Sequence, residues 1–222
     1  MAAAVEKKKA DVKIVIVGDA TVGKTTFIRR YMDGVFTDNP GQTVGACFFL
    51  KQWGNCNIAL WDTAGEERFS GLSSFYCRNA SAAIIAYDIT RKNSFELLQE
   101  RYIPLLESAK EDCLLCLTGM KNDLVTSNTR QVAHGEAKEF ACRLNASRFQ
   151  EIRRNNPNQK IQAPFFETSS KTGANVDQVF EYIFSSILPR TGGNMAQKKD
   201  TVDMSGDSGN SKEQLKKKGC CN

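Results

Sequence analysis

The first regular signal along the chain is a short β-branched run, Val12 to Val17, that predicts a strand. Lys24 to Met32 can wind as a helix directly behind it. Two extended stretches follow, GACFFLKQW (45–53) and CNIALW (56–61), and the Gly-Asn link between them predicts a hairpin with a tight turn. A helix-capable segment covers Arg68 to Arg78, and ASAAIIAYD (80–88) has the composition of a buried strand. NSFELLQERYIPLLESAK (93–110) places its apolar residues on one helical face, and CLLCLTG (113–119) predicts another strand. The amphipathic stretch 131–152 predicts a helix, PFFET (164–168) the last strand and ANVDQVFEYIFSSIL (174–188) the last helix. Strand and helix alternate, as in an α/β sheet with helices on both faces.

Two segments break the alternation. Residues 153–162 are polar and contain a proline, so a surface loop is expected. Beyond Pro189 large apolar side chains nearly vanish, and residues 190–218 cannot bury enough surface to offset their ordering entropy. The expected organisation is a short extension (1–11), one domain (12–189) and a disordered tail (190–222). No internal repeat is present.

Composition narrows the classes. A chain of 222 residues with 41% hydrophobic and 25% charged residues is ordinary for a soluble domain with a tail. The net charge of +5 is modest, and much of the excess lies in EKKK near the start and KKK near the end. That argues against a nucleic-acid partner and for a basic flank beside a membrane. No apolar run is long enough to span a bilayer and no signal-type segment opens the chain, so a cytosolic protein is expected. Eight cysteines fit that compartment as free thiols. Cys113 and Cys116 form a CxxC, but within a strand pattern and without a second ligand pair; the only histidine is His134.

The candidate chemistry starts at GDATVGKT, residues 18–25, which fits GxxxxGK[ST] in full between the first strand and the first helix. The cradle is read as Gly18, Asp19, Ala20, Thr21, Val22, Gly23, Lys24, Thr25 and the following Thr26. Its N–H groups would face phosphate, with Lys24 neutralising charge and the Thr25 hydroxyl holding Mg²⁺. WDTAGEE (61–67) closes the third strand, with Asp62 placed as a further metal carboxylate and Gly65 able to bring its N–H against a terminal phosphate. Thr43, in the loop before the second strand, is either a second hydroxyl for the metal or simply a strand-opening residue. KND (121–123) and SSKTG (169–173) address the base. An Asp123 carboxylate matches the paired donors of guanine, which adenine lacks; the Lys121 stem can lie along the base, and backbone N–H near Ser170, between Ser169 and Lys171, can meet the guanine O6.

These stations, in this order, resemble the motif set of Ras-type small GTPases, and LWDTAGEERF, FYCRNASAAIIAYDIT and the terminal Cys-Cys resemble the Rab branch. The likeness covers residues 12–188 and the tail. It implies a P-loop G domain, a six-stranded sheet with only the second strand antiparallel, that binds GTP or GDP with Mg²⁺ on Thr25 and Thr43 and with Asp62 reaching the metal through water. It implies Phe36 edge-on to the guanine and an effector-reading triad of Phe48, Trp61 and Tyr76, for which core packing is the alternative. It further implies GTP-state effectors, an exchange factor, a GAP, a prenylation escort protein and a GDP-dissociation inhibitor acting on a monomer. Cys220 and Cys221 would carry lipid, because stable anchoring needs two signals. The expected place is then the cytoplasmic face of endosomal or Golgi-type membranes, with a cytosolic pool.

Three departures from the family pattern stand out. Glu66 follows Gly65 where Gln is usual; a carboxylate accepts from the attacking water but cannot donate, so the catalytic set of Glu66, Gly65 and Lys24 predicts slow hydrolysis. Met120 replaces the Asn of the guanine box, which predicts weaker nucleotide affinity. VGACF matches the first Rab signature only in part, and residues 131–163 are longer than usual, either a partner surface or a tolerated insertion. Two other readings remain: a GTP-dependent docking module with negligible hydrolysis, and a P-loop kinase of a small metabolite, against which the guanine stations and the tail both speak.

Overall fold

Strand β1 (Val12–Gly18) takes the middle of the sheet because Ile14 to Val17 present no polar side chain to either face. The computed structural model describes residues 10–38, 40–65, 70–147, 149–150 and 163–188. After β1 come α1 (Lys24–Asp33), β2 (Ala46–Trp53), β3 (Cys56–Thr63), α2 (Ser70–Cys77) and β4 (Ala82–Asp88). α3 (Lys92–Leu97), β5 (Leu114–Met120), α4 (His134–Leu144), β6 (Phe165–Glu167) and α5 (Val176–Ile187) complete the order. The sheet runs β2-β3-β1-β4-β5-β6, with β2 antiparallel to β3 and every other pairing parallel. This is the expected G-domain sheet.

Strand periodicity divides the core. Ile14 and Ile16 point toward α1 and α5, where they meet Phe27, Ile28, Phe180 and Phe184. Val15 and Val17 point the other way, to Tyr87, Phe95, Leu98 and Phe140. Tyr31 of α1 stacks on Phe180 of α5 with ring centroids 3.8 Å apart. Because five strands are parallel, the loops after β1, β3, β4, β5 and β6 gather at one edge of the sheet, the usual ligand crevice of such folds.

Two helices depart from expectation. The segment 93–110 is not one helix: after α3 it widens into a π turn at Leu98–Tyr102 and then tightens into a 3-10 turn at Pro104–Ser108. Pro104 has no N–H for the α ladder, so the neighbouring turns satisfy their carbonyls with other spacings. The helix expected over 131–152 starts later, at His134, because the Gln131 and Val132 N–H groups both donate to the Ile89 carbonyl at the exit of β4. It breaks at Asn145, whose buried amide serves a sheet strand. Its Nδ2 donates to Leu115 O at 2.8 Å and its Oδ1 accepts from Leu115 N at 3.2 Å. β6 is too short to reach Leu115, and the asparagine stands in for it. The loop expected at 153–162, the start of the helix expected at Arg68, and the tail lie outside the described residues. The six described cysteines are free, and burial pushes the Cys116 thiol up to about 12, which leaves the CxxC without a reactive thiolate there.

Candidate functional site

The turn after β1 has the backbone that its sequence predicts. Gly18 has φ 146°, and a Cβ there would sit 2.1 Å from the Ala86 carbonyl oxygen of β4, so only glycine fits. Val22 is buried beneath the loop, while Ala20, Gly23 and Thr26 are partly exposed. Lys24 folds under it and donates to the carbonyls of Gly18 at 2.8 Å and Asp19 at 2.9 Å. Burial pushes its amine down to about 8, against the opposing pull of Asp62 and Asp19. A buried ammonium whose partners among the described residues are carbonyls is suited to an anion arriving above it.

Thr25, Thr43 and Asp62 come together from α1, the loop before β2, and β3. The Thr25 hydroxyl donates to Asp62 Oδ2 at 2.6 Å, and Thr43 Oγ1 lies 2.8 Å from Thr25 Oγ1. Thr43 Oγ1 is also 3.4 Å from Asp62 Oδ2. The other carboxylate oxygen, Asp62 Oδ1, is buried and has no hydrogen-bond partner among the described residues. Burial raises the Asp62 pKa, and the Thr25 hydroxyl and Lys24 only partly offset it. An all-oxygen set with one orphaned carboxylate oxygen fits a hard cation such as Mg²⁺.

Gly65 lies directly on the phosphate loop. A Cβ on it would stand 2.5 Å from the Ala20 nitrogen and 2.6 Å from Lys24 Nζ. Its carbonyl accepts from the Tyr102 hydroxyl at 2.9 Å. The loop is also gripped from the β4 side. Arg91 donates to Thr21 Oγ1 at 2.9 Å, to Asp19 Oδ2 at 2.8 Å and to the Ala20 carbonyl at 3.0 Å. Thr21 sits at φ 62°, a left-handed conformation that costs a non-glycine residue, and the guanidinium helps to hold it there. Glu66 lies outside the described residues.

On the base side, Lys121 also takes a left-handed backbone, φ 63°, and its ammonium pairs with Asp88 Oδ2 at 2.7 Å. That fixes the direction of its aliphatic stem. Asp123 Oδ1 accepts from the Ser169 hydroxyl at 2.6 Å, and Ser169 Oγ accepts in turn from the Thr172 N–H at 3.1 Å. Met120 is buried, with Sδ 3.4 Å from the Thr168 hydroxyl that donates to it. Ser170 is partly exposed, Lys171 exposed, and Phe36 half-buried in the loop after α1.

The three aromatic residues form a continuous row. Phe48 pairs with Trp61 across the β2–β3 ladder, and their rings meet edge-on at 5.4 Å. Trp61 stacks on Tyr76 of α2 at 5.7 Å, and Lys13 Nζ lies 4.8 Å from the Trp61 ring centroid. Phe48 is 53% exposed, so core packing does not account for it. Phe75, 64% exposed and edge-on to Tyr76, extends the row and carried no sequence signal. Arg91, Tyr102 and Asp88 were also missed. Each acts on a loop distant in sequence, and no spacing rule marks such a residue.

The Ras family matches this chain over residues 13–189. Ras-related protein Rab-20 of Mus musculus is 37% identical over 218 residues, which cover 89% of this chain and 93% of its own. Its Homo sapiens counterpart is 36% identical over 240 residues, covering 96% of this chain and 99% of its own. Ras-related protein Rab-31 of Rattus norvegicus is 34% identical over 183 residues, with 81% and 84% covered.

Proposed function

The chain belongs to the Ras family, with Rab-type relatives along most of its length, and from that premise we propose that it is a lipid-anchored GTPase switch of vesicle and endosomal membrane traffic. The carrying observation is the convergence of Thr25, Thr43 and Asp62, with Asp62 Oδ1 unpaired, beside a phosphate loop whose Lys24 is buried.

In this reading the loop from Gly18 to Thr26 holds the phosphates of GTP or GDP, and Lys24 carries charge to the β- and γ-phosphates. Thr25 and Thr43 hold Mg²⁺, with Asp62 behind them; when bound, the ion neutralises charge on the phosphate oxygens. Thr43 and Gly65 each meet the γ-phosphate, so the loops that carry them are ordered with GTP and released after hydrolysis. Asp123 and Lys121 select guanine, with Phe36, Ser169, Ser170 and Lys171 around the base. Met120 contributes packing in place of a polar tie, and a weaker nucleotide grip follows. The Glu66 carboxylate accepts a hydrogen bond from the attacking water but has no N–H to donate to the transferred group, so intrinsic turnover is slow and a GAP supplies what is missing.

Effectors read the Phe48–Trp61–Tyr76 row together with the GTP-ordered loops. Among the described residues no helix is long and apolar enough to cross a membrane. Anchoring is assigned to lipid on Cys220 and Cys221, aided by the basic run Lys216 to Lys218 at roughly 1 kcal/mol per charge. An escort protein delivers the chain for lipidation and a GDP-dissociation inhibitor maintains its cytosolic pool. The decisive test is calorimetric titration with GDP, a non-hydrolysable GTP analogue and ATP in Mg²⁺, followed by single-turnover hydrolysis. Guanine nucleotides binding far more tightly than ATP is the expected result, and equal affinity for ATP would sink the reading. Glu66 favours a second reading, a GTP-dependent docking module with negligible intrinsic hydrolysis, which single-turnover assays with and without a GAP separate from the first.

A further inference from the structure

The π turn at Leu98–Tyr102 brings a side chain to the site that no motif marked. The Ile103 N–H reaches five residues back to the Leu98 carbonyl, at 2.9 Å. That wider turn holds one residue more than an α turn, which changes the phase of everything after it. Tyr102 closes this turn, on the same inward face as Leu98, and is only 7% exposed. Its hydroxyl reaches two loops at once, donating to the Gly65 carbonyl at 2.9 Å and lying 3.4 Å from Asp19 Oδ1. Asp19 is braced on its other oxygen by Arg91 at 2.8 Å. The Gly65 carbonyl belongs to the peptide group that leads into Glu66.

We propose that Tyr102 is a positioning residue for GTP hydrolysis: its hydroxyl, through its one proton, holds the Gly65 carbonyl on the phosphate loop and selectively favours the triphosphate state. The inference rests on the GTPase reading above. Gly65 must be ordered for its N–H to meet a γ-phosphate, and a donor on its carbonyl lowers the entropy lost in that step. GDP makes no such demand on Gly65, so the contribution of the hydroxyl falls on the triphosphate alone.

Tyr102→Phe keeps the ring and deletes only the donor. The full chain and this variant are compared by competition binding of GDP and a non-hydrolysable GTP analogue, by single-turnover hydrolysis, and by melting of the GDP-loaded form. The variant is expected to keep its melting temperature and its GDP affinity within about twofold. Its analogue affinity falls about five- to tenfold, the loss of one hydrogen bond, and its hydrolysis slows. If the ratio of analogue to GDP affinity is the wild-type ratio, the proposal is overturned. Equal weakening toward both nucleotides also overturns it, since that marks a packing residue. Wild-type protein that binds no guanine nucleotide overturns the functional reading and this inference with it.

Discussion

The Asp88 carboxylate ends β4 with one oxygen 2.7 Å from Lys121 Nζ and the other accepting from the Thr90 N–H and hydroxyl at 2.9 and 2.6 Å. Burial alone would raise its pKa; the hydrogen bonds from Lys121 and Thr90 outweigh that and hold it below the usual carboxylate range. A depressed folded pKa means that the unfolded chain takes up the proton first as pH falls. The stabilisation is therefore complete above the unfolded value, about 3.9, and is lost as pH drops through the folded one. Asp88→Asn should lower stability at neutral pH by about 2 kcal/mol, and the gap to wild type should close below about pH 4 in urea titrations. The same change frees Lys121, so a faster release of guanine nucleotide is expected in a dissociation assay. Gly65→Ala acts differently. Its Cβ would stand 2.6 Å from Lys24 Nζ and 2.5 Å from the backbone of the phosphate loop. Binding of a GTP analogue should fall at least about tenfold while GDP binding holds, because only the triphosphate needs that approach.

Within elements, the aromatic row and the Asn145 patch separate function from folding. Phe48 is half exposed and touches its neighbours by one edge, so Phe48→Ala should cost less than about 1 kcal/mol in stability. It should abolish capture of GTP-state partners, as read by pulldown against a melting curve. Asn145 shows the reverse pattern. Its amide satisfies both the N–H and the carbonyl of Leu115, and Asn145→Ala would leave them unpaired in the interior. A loss of about 2–3 kcal/mol is expected in denaturant unfolding, with the affinity ratio between GDP and GTP analogue unchanged. The helix over 93–110 was misread because an apolar stripe at helical spacing is satisfied nearly as well by a π turn followed by a 3-10 turn. Pro104 was visible in the sequence, but which way the chain would rewind around it depends on the sheet beneath.

Across the whole molecule, ligand and fold are one equilibrium. A site that leaves Asp62 Oδ1 unpaired and Lys24 buried stores an electrostatic cost that nucleotide with Mg²⁺ would relieve. Removing the metal with a chelator and then the nucleotide should lower the melting temperature in two steps. At a thousandfold excess over Kd the nucleotide alone stabilises by about 4 kcal/mol. The sheet with one antiparallel strand was implied by the family resemblance, whereas the strand–helix alternation, the hairpin of the second and third strands and the phosphate loop were legible in the residues themselves. These last three rest on local rules: side-chain period, a glycine where the backbone must turn, and motifs whose residues are contiguous. The sequence also marked Thr25, Thr43 and Asp62 as metal residues, and the folded chain brings all three within hydrogen-bond reach. Three contacts emerge only on folding: Asp88 holds Lys121, Arg91 clamps Thr21, and Tyr102 reaches Gly65. Those contacts join loops far apart in the chain, and they depend on helix phase and strand register. Packing sets both, and no local pattern encodes either.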